Sequence, residues 1–148
     1  MAEQQFGNLK DQATIQQSIE ERVKYGRFFY RFPNGEAGLD VYSRVSSFIG
    51  TLRQARMEPG SSVLIVTHGL AIRLFLMRWF HWTVEQFEVT RNPGLCDMAV
   101  MELVPGEGGV YRLTDPTLKI VGADQAPTTT PIGRAVYTRA FVDAFLSY

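Results

Sequence analysis

Cysteine is nearly absent from this chain of 148 residues: Cys96 stands alone, so no intramolecular disulfide can form. Histidine is almost as scarce, with only His68 and His81. With so few soft ligands a structural zinc site is not expected, and no metal or other cofactor is implied. Neither charge sign is in excess, since 15 basic residues face 15 acidic ones. That balance gives no reason to expect binding to nucleic acid or to an acidic membrane. Apolar runs stay far below the roughly 18 residues that a membrane helix needs. A secretory leader would need a basic start and an apolar run after it, and the opening MAEQQFGNLKDQ has neither. These gaps leave one compact domain over residues 1–148, expected to be soluble, reduced and cytoplasmic.

Periodicity orders what is present. Ile15, Ile19 and Val23 recur every four residues between Ala13 and Tyr25, which predicts a helix stopped by Gly26. The stretch RFFYRFPNGEAG (27–38) follows, and two readings are open for it. Its aromatics are buried anchors of an ordered loop, or Arg27 and Arg31 interleave with Phe28, Phe29 and Tyr30 as a stacking platform for bases. The neutral charge of the chain favours the anchors. Between Leu39 and Met57, Val41, Val45, Phe48, Ile49 and Leu52 form a helical stripe that must pack on something apolar, and Glu58-Pro59-Gly60 ends it.

Ser61 to Thr67 reads SSVLIVT, an unbroken aliphatic run. Such a run predicts a central parallel strand covered on both faces. His68-Gly69 and the apolar stretch LAIRLFLMRWF come next, so strand, turn and helix make an α/β unit. Thr83 and Gln86 have capping-box spacing and predict a short helix. After the loop RNPGLCD, residues 98–104 and 110–113 are expected as a hairpin around Gly106 to Gly109. Residues 114–130 read as a surface loop, and Ile132, Val136 and Ala140 mark a final helix through Leu146.

Thr67-His68-Gly69 is the informative spot. Ligands of α/β sheets sit at the carboxyl ends of strands, where a following helix aims its free N–H groups at an anion. His68 could donate to phosphate oxygens or move a proton, and Gly69 would let backbone approach a ligand. The plainer alternative makes Thr67 a cap and His68 a satisfied turn residue. Glu3 and Glu36 read on their own as surface carboxylates, and His81 as structural. Arg73, one turn into the helix, could reach an anion or pair with a carboxylate at the core edge.

At these residues a family resemblance emerges. VLIVTHGLAIRLFL looks like the second histidine motif of the histidine phosphatase superfamily, the phosphoglycerate-mutase-like proteins. YGRFFYRFPNGEAGLDVYSRVSSF resembles the stretch that precedes that motif in one eukaryotic branch, and Glu3-Gln4-Gln5-Phe6-Gly7 is similar to the family's E-x-x-x-G segment. The resemblance spans residues 3–104. It implies an α/β fold, a three-layer α/β/α sandwich lacking its N-terminal strand and helix, and phosphoryl transfer through a phosphohistidine. It further implies that His68 and Gly69 bind the phosphoryl group of a small phosphorylated molecule or inorganic phosphate, and that Glu3 is the proton donor. Glu36 would support them, with Ala37 in place of the family's usual serine. The family's R-H-G motif is not in this sequence, since neither histidine follows an arginine. The expectation is therefore the C-terminal portion of a phosphatase or mutase, a truncated gene product inactive alone. A non-catalytic anion-binding or interaction module of the same fold is the alternative. Losing the neighbouring strand would bare an apolar edge at Val63–Val66 and invite a homodimer.

Overall fold

The computed structural model describes residues 2–8, 11–55, 60–106 and 109–123. The final helix expected over 132–146 lies outside them. Helix α1 runs Gln12–Tyr25; the Asp11 side chain accepts from Thr14 N at 2.8 Å, and Gly26 closes it at φ 86°. Its buried residue is Ser18, whereas Ile15, Ile19 and Val23 face outward. The stripe is real, but among the described residues nothing covers it.

Helix α2 (Gly38–Gln54) and helix α3 (Gly69–Phe80) form the core. Val41, Val45 and Ile49 of α2 are buried as their spacing requires, with Phe48 and Leu52 partly buried beside them. From α3, Leu70, Ala71, Leu74, Phe75, Leu76, Met77 and Phe80 enter the same cluster. Few side chains remain outside on α3, which suits a helix packed on more than one side. Ala37 cannot supply a side-chain cap to α2, but its N–H still donates to Asp40 Oδ2 at 2.7 Å. One half of the capping arrangement thus survives the loss of a hydroxyl.

Between α1 and α2 the aromatic stretch alternates. Phe28, Tyr30 and Phe32 are buried, while Arg27, Phe29 and Arg31 are exposed. The loop-anchor reading accounts for this pattern. Phe28 N–H donates to Glu88 Oε1 at 2.8 Å, tying the loop to the short helix α4 (Val84–Glu88). Helix α4 starts with the expected box: Gln86 N donates to Thr83 Oγ1 at 3.2 Å and Thr83 N to Gln86 Oε1 at 2.9 Å.

The expected hairpin is present but short. Strands β1 (Met101–Leu103) and β2 (Tyr111–Leu113) pair antiparallel, with Glu102 opposite Arg112. Residues 114–130 had read as loop, yet Asp115–Val121 form helix α5. Pro116 occupies the first turn, where its missing N–H costs nothing, and Gly122 ends the helix at φ 67°.

The larger correction concerns Ser61–Thr67. The run is not a strand; among the described residues it joins no ladder. Leu64 is 77% exposed and Val66 82%, while Ile65 leans on the core. The sequence is that of a covered strand, and the described residues supply no cover. The chain is thus α/β in content, with five helices and one two-stranded sheet among the described residues. No described helix is long and apolar enough to cross a membrane.

Candidate functional site

The segment from Glu3 to Gly7 has no regular secondary structure and lies against the loop that leads into α2. Gln4 Nε2 donates to the Glu36 carbonyl at 2.8 Å, and Gln5 N to Glu36 Oε2 at 3.0 Å. Glu36 N in return donates to the Gln5 carbonyl at 2.8 Å. The two stretches come so close that a Cβ on Gly7 would stand 2.0 Å from the Pro33 oxygen, and Gly7 has φ 73°. Both facts require glycine there.

Arg44, on α2, makes an ion pair with Glu36 Oε1 and also donates to the Glu3 carbonyl at 3.3 Å. Burial tends to raise the Glu36 pKa, but the hydrogen bonds from Arg44 and from Gln5 outweigh it and leave the carboxyl more acidic than usual. The Arg22 guanidinium, from α1, holds Gln4 Oε1 at 3.2 Å. Glu36 therefore bears on the site through the backbone of Glu3 to Gln5.

This anchoring delivers Glu3 to His68. Glu3 Oε1 accepts from Gln4 N at 2.9 Å, and Glu3 Oε2 lies 3.7 Å from His68 Nδ1. His68 is the N-cap residue of α3, extended at φ −114° and ψ 162°, and its carbonyl accepts from Ile72 N at 2.9 Å. More than half of its side chain is open to solvent. The carboxylate and imidazole thus share a wet surface at the start of a core helix, beside free backbone N–H groups.

Gly69 also makes room for a neighbouring side chain. A Cβ there would stand 2.8 Å from Asn92 Cβ and 2.9 Å from Asn92 Cγ. Asn92 is seated where a side chain on residue 69 would be.

Arg73 neither reaches into this space nor meets a carboxylate. It is 1% exposed and turned into the core. Its Nε donates to Thr90 Oγ1 at 2.7 Å, Nη1 to Asn92 Oδ1 at 3.0 Å and Nη2 to the Phe87 carbonyl at 2.9 Å. Burial, helped by the charge of Arg27, lowers its pKa to about 10, so it remains a cation at neutral pH. His81 caps the far end of α3 at φ 56°, about 20 Å along the helix from His68 at 1.5 Å per residue. The two histidines do not share a site. Among the described residues no group of three or more His, Cys, Asp or Glu is placed to hold a metal ion.

Three residues of this region were not singled out from the sequence: Arg44, Thr90 and Asn92. Arg44 follows Asp40 by one helical turn, so its face of α2 could have been inferred. Asn92 sat in a stretch read only as loop, and its contacts with Gly69 and Arg73 span too many residues for spacing to reveal.

Comparison with known proteins gives the following. The family model described as histidine phosphatase superfamily (branch 1) matches residues 1–129. The chain is 45% identical over 119 residues to the phosphoglycerate mutase-like protein AT74 of Arabidopsis thaliana, covering 75% of this chain and 37% of that protein. To the related AT74H of the same plant it is 44% identical, over 74% of this chain and 41% of the relative. To the broad-range acid phosphatase DET1 of Saccharomyces cerevisiae it is 47% identical, over 68% of this chain and 32% of the relative. The chain thus spans well under half the length of these relatives. No solved structure matches it.

Proposed function

The chain belongs to the histidine phosphatase superfamily, and on that premise we propose that it carries the phosphate-binding and proton-donating half of a site that processes small phosphomonoesters. One observation carries the reading: Glu3 and His68, distant in sequence, meet at 3.7 Å at the start of α3. In this reading His68 donates to a phosphoryl oxygen, with the Gly69 N–H beside it. Glu3 gives its proton to the alcohol oxygen as the P–O bond breaks, and Glu36 with Arg44 fixes the backbone that bears Glu3. The reaction class is hydrolysis or transfer of a phosphoryl group by way of a phosphohistidine. Hydrolysis is favoured because one of the relatives named above is an acid phosphatase.

The family's nucleophile is a histidine that follows an arginine. The two histidines here follow Thr67 and Phe80. His68 binds rather than attacks in this reading, so the chain by itself binds phosphate without turning substrate over. Calorimetric titration with inorganic phosphate, together with release of p-nitrophenol from p-nitrophenyl phosphate, tests both parts. Saturable binding that His68→Ala weakens at least tenfold, with no turnover above buffer, is expected. Turnover that vanishes in His68→Ala would overturn the assignment of His68 as a binding group, and no saturable binding would overturn the site.

The full three-layer sandwich, as one domain over residues 1–148, belongs to this proposal too. It gives Ser61–Thr67 the neighbours that exposed Leu64 and Val66 call for. The same exposed run favours the second reading, an interaction module in which a second copy of the chain pairs along this edge.

A further inference from the structure

We propose that Asn92 is an additional donor of this site, contributing its side-chain NH2 group to a phosphoryl oxygen beside His68. The inference rests on the reading of His68 and Gly69 as a phosphate site, and it adds a residue that the sequence motif does not contain. Four observations support it.

Orientation comes first. The two ends of an asparagine amide are usually hard to tell apart, and the hydrogen-bond network must decide between them. Here it decides cleanly. Arg73 Nη1, 3.0 Å away, can only donate, so the atom facing it is the carbonyl oxygen Oδ1. The NH2 group therefore faces the other way.

Position is the second. The amide covers Gly69, with Nδ2 3.3 Å from the point a Cβ of that residue would occupy. Asn92 is thus in contact with the residue that follows His68, at the first turn of α3. Any side chain at position 69 would push it away.

The third is that the donor is free. Asn92 is exposed, and among the described residues no acceptor is bonded to Nδ2. A solvent-facing NH2 with a fixed direction can bond a ligand without first breaking an internal bond.

Last, the loop that presents Asn92 is held on both sides. Thr90 Oγ1 accepts from Arg73 and donates to the Phe87 carbonyl at 2.6 Å. Arg91 N donates to the Val121 carbonyl at 2.8 Å, and its guanidinium donates to the carbonyls of Lys119 and Ile120 at the end of α5. Those last carbonyls of a helix want donors, so Arg91 ties the loop to α5. Buried Arg73 then acts as a positioning residue: it sets which face of the Asn92 amide looks outward.

Asn92→Asp separates a ligand contact from a structural one. Aspartate keeps the acceptor for Arg73, and strengthens it, while replacing the outward donor by an anionic oxygen that repels phosphate. Titration of the 15N-labelled chain with inorganic phosphate supplies the readout. The Asn92 side-chain NH2 signals, identified by their loss in Asn92→Asp, should shift saturably with the same Kd as the Gly69 amide. Asn92→Asp should weaken phosphate at least tenfold with no fall in Tm, and Asn92→Ser by a smaller factor. Unmoved NH2 signals while Gly69 and His68 respond, with wild-type affinity in both variants, would reduce Asn92 to a partner of Arg73 and leave the phosphate site standing. No saturable response at Gly69 or His68 in the wild type would overturn the site itself and this inference with it. The NH2 pair is also assigned on the wild-type chain through its bonds to the Asn92 backbone, so a variant that fails to fold does not spare the proposal.

Discussion

The guanidinium of Arg73 lies 4.3 Å from the centroid of the Phe87 ring while Nη2 donates to the carbonyl of the same residue. One buried cation is thus stabilised by a ring face and three neutral acceptors rather than by a carboxylate. Its planar fork is what reaches all three.

Replacing that fork should therefore be costly even where charge is kept. Arg73→Lys, reaching at most part of the acceptor set, is expected to lower the unfolding free energy by about 2 kcal/mol, and Arg73→Met by about 3 kcal/mol. Urea unfolding checks this: the midpoint should fall with an unchanged slope. A midpoint within error of the wild type for Arg73→Met would show that the network contributes nothing net.

Gly69 opens α3, where alanine would ordinarily favour the helix by up to about 1 kcal/mol. The contact with Asn92 reverses the sign. Gly69→Ala should destabilise the chain by about 1–2 kcal/mol because backbone or Asn92 has to yield. In an Asn92→Gly background the same substitution should become neutral or stabilising. Additive effects in this double-mutant cycle would show that the two positions do not press on each other.

Glu36 couples the Glu3 segment to pH. Its folded carboxyl is more acidic than the ordinary 4.5, so the anchor is fully present above 4.5 and is lost as pH falls through the lower folded value. The protection factor of the Gln5 amide, which donates to Glu36 Oε2, should fall over that acidic range. In Glu36→Ala it should be low throughout. A Gln5 amide equally protected in the variant would remove Glu36 from the anchoring of Glu3.

Leu64 and Val66 are exposed on a segment that joins no ladder among the described residues. Such an edge favours pairing with another chain, and lysine is the usual deterrent. Sedimentation velocity should show concentration-dependent association for the wild type and a monomer for Leu64→Lys/Val66→Lys. Equal association in both would place the contact elsewhere.

Local chemistry was legible and long-range partnership was not. The burial of Val41, Val45 and Ile49 followed from their spacing, and the Thr83–Gln86 box from two residues. Both are decided within a few turns of chain. The SSVLIVT run announced a need for cover, but nothing local can say which segment provides it. Helix α5 was missed because residues 114–130 read as one polar loop, whereas Pro116 stands in the first turn of a short helix. The meeting of Glu3 with His68 was legible only through a family resemblance. Asn92 escaped altogether, since the glycine that makes room for it lies in another element and the arginine that orients it is hidden in the core.

Cys96 sits in the left-handed region at φ 64°, exposed, four positions beyond Asn92, and it is the only thiol of the chain. That makes the unmodified protein its own labelling scaffold. A maleimide fluorophore or spin label goes to one address without removing any competing cysteine. It then rides on the loop that Arg73 and Arg91 hold in place, so changes in its emission or line shape track whether that loop keeps its position when phosphate is added.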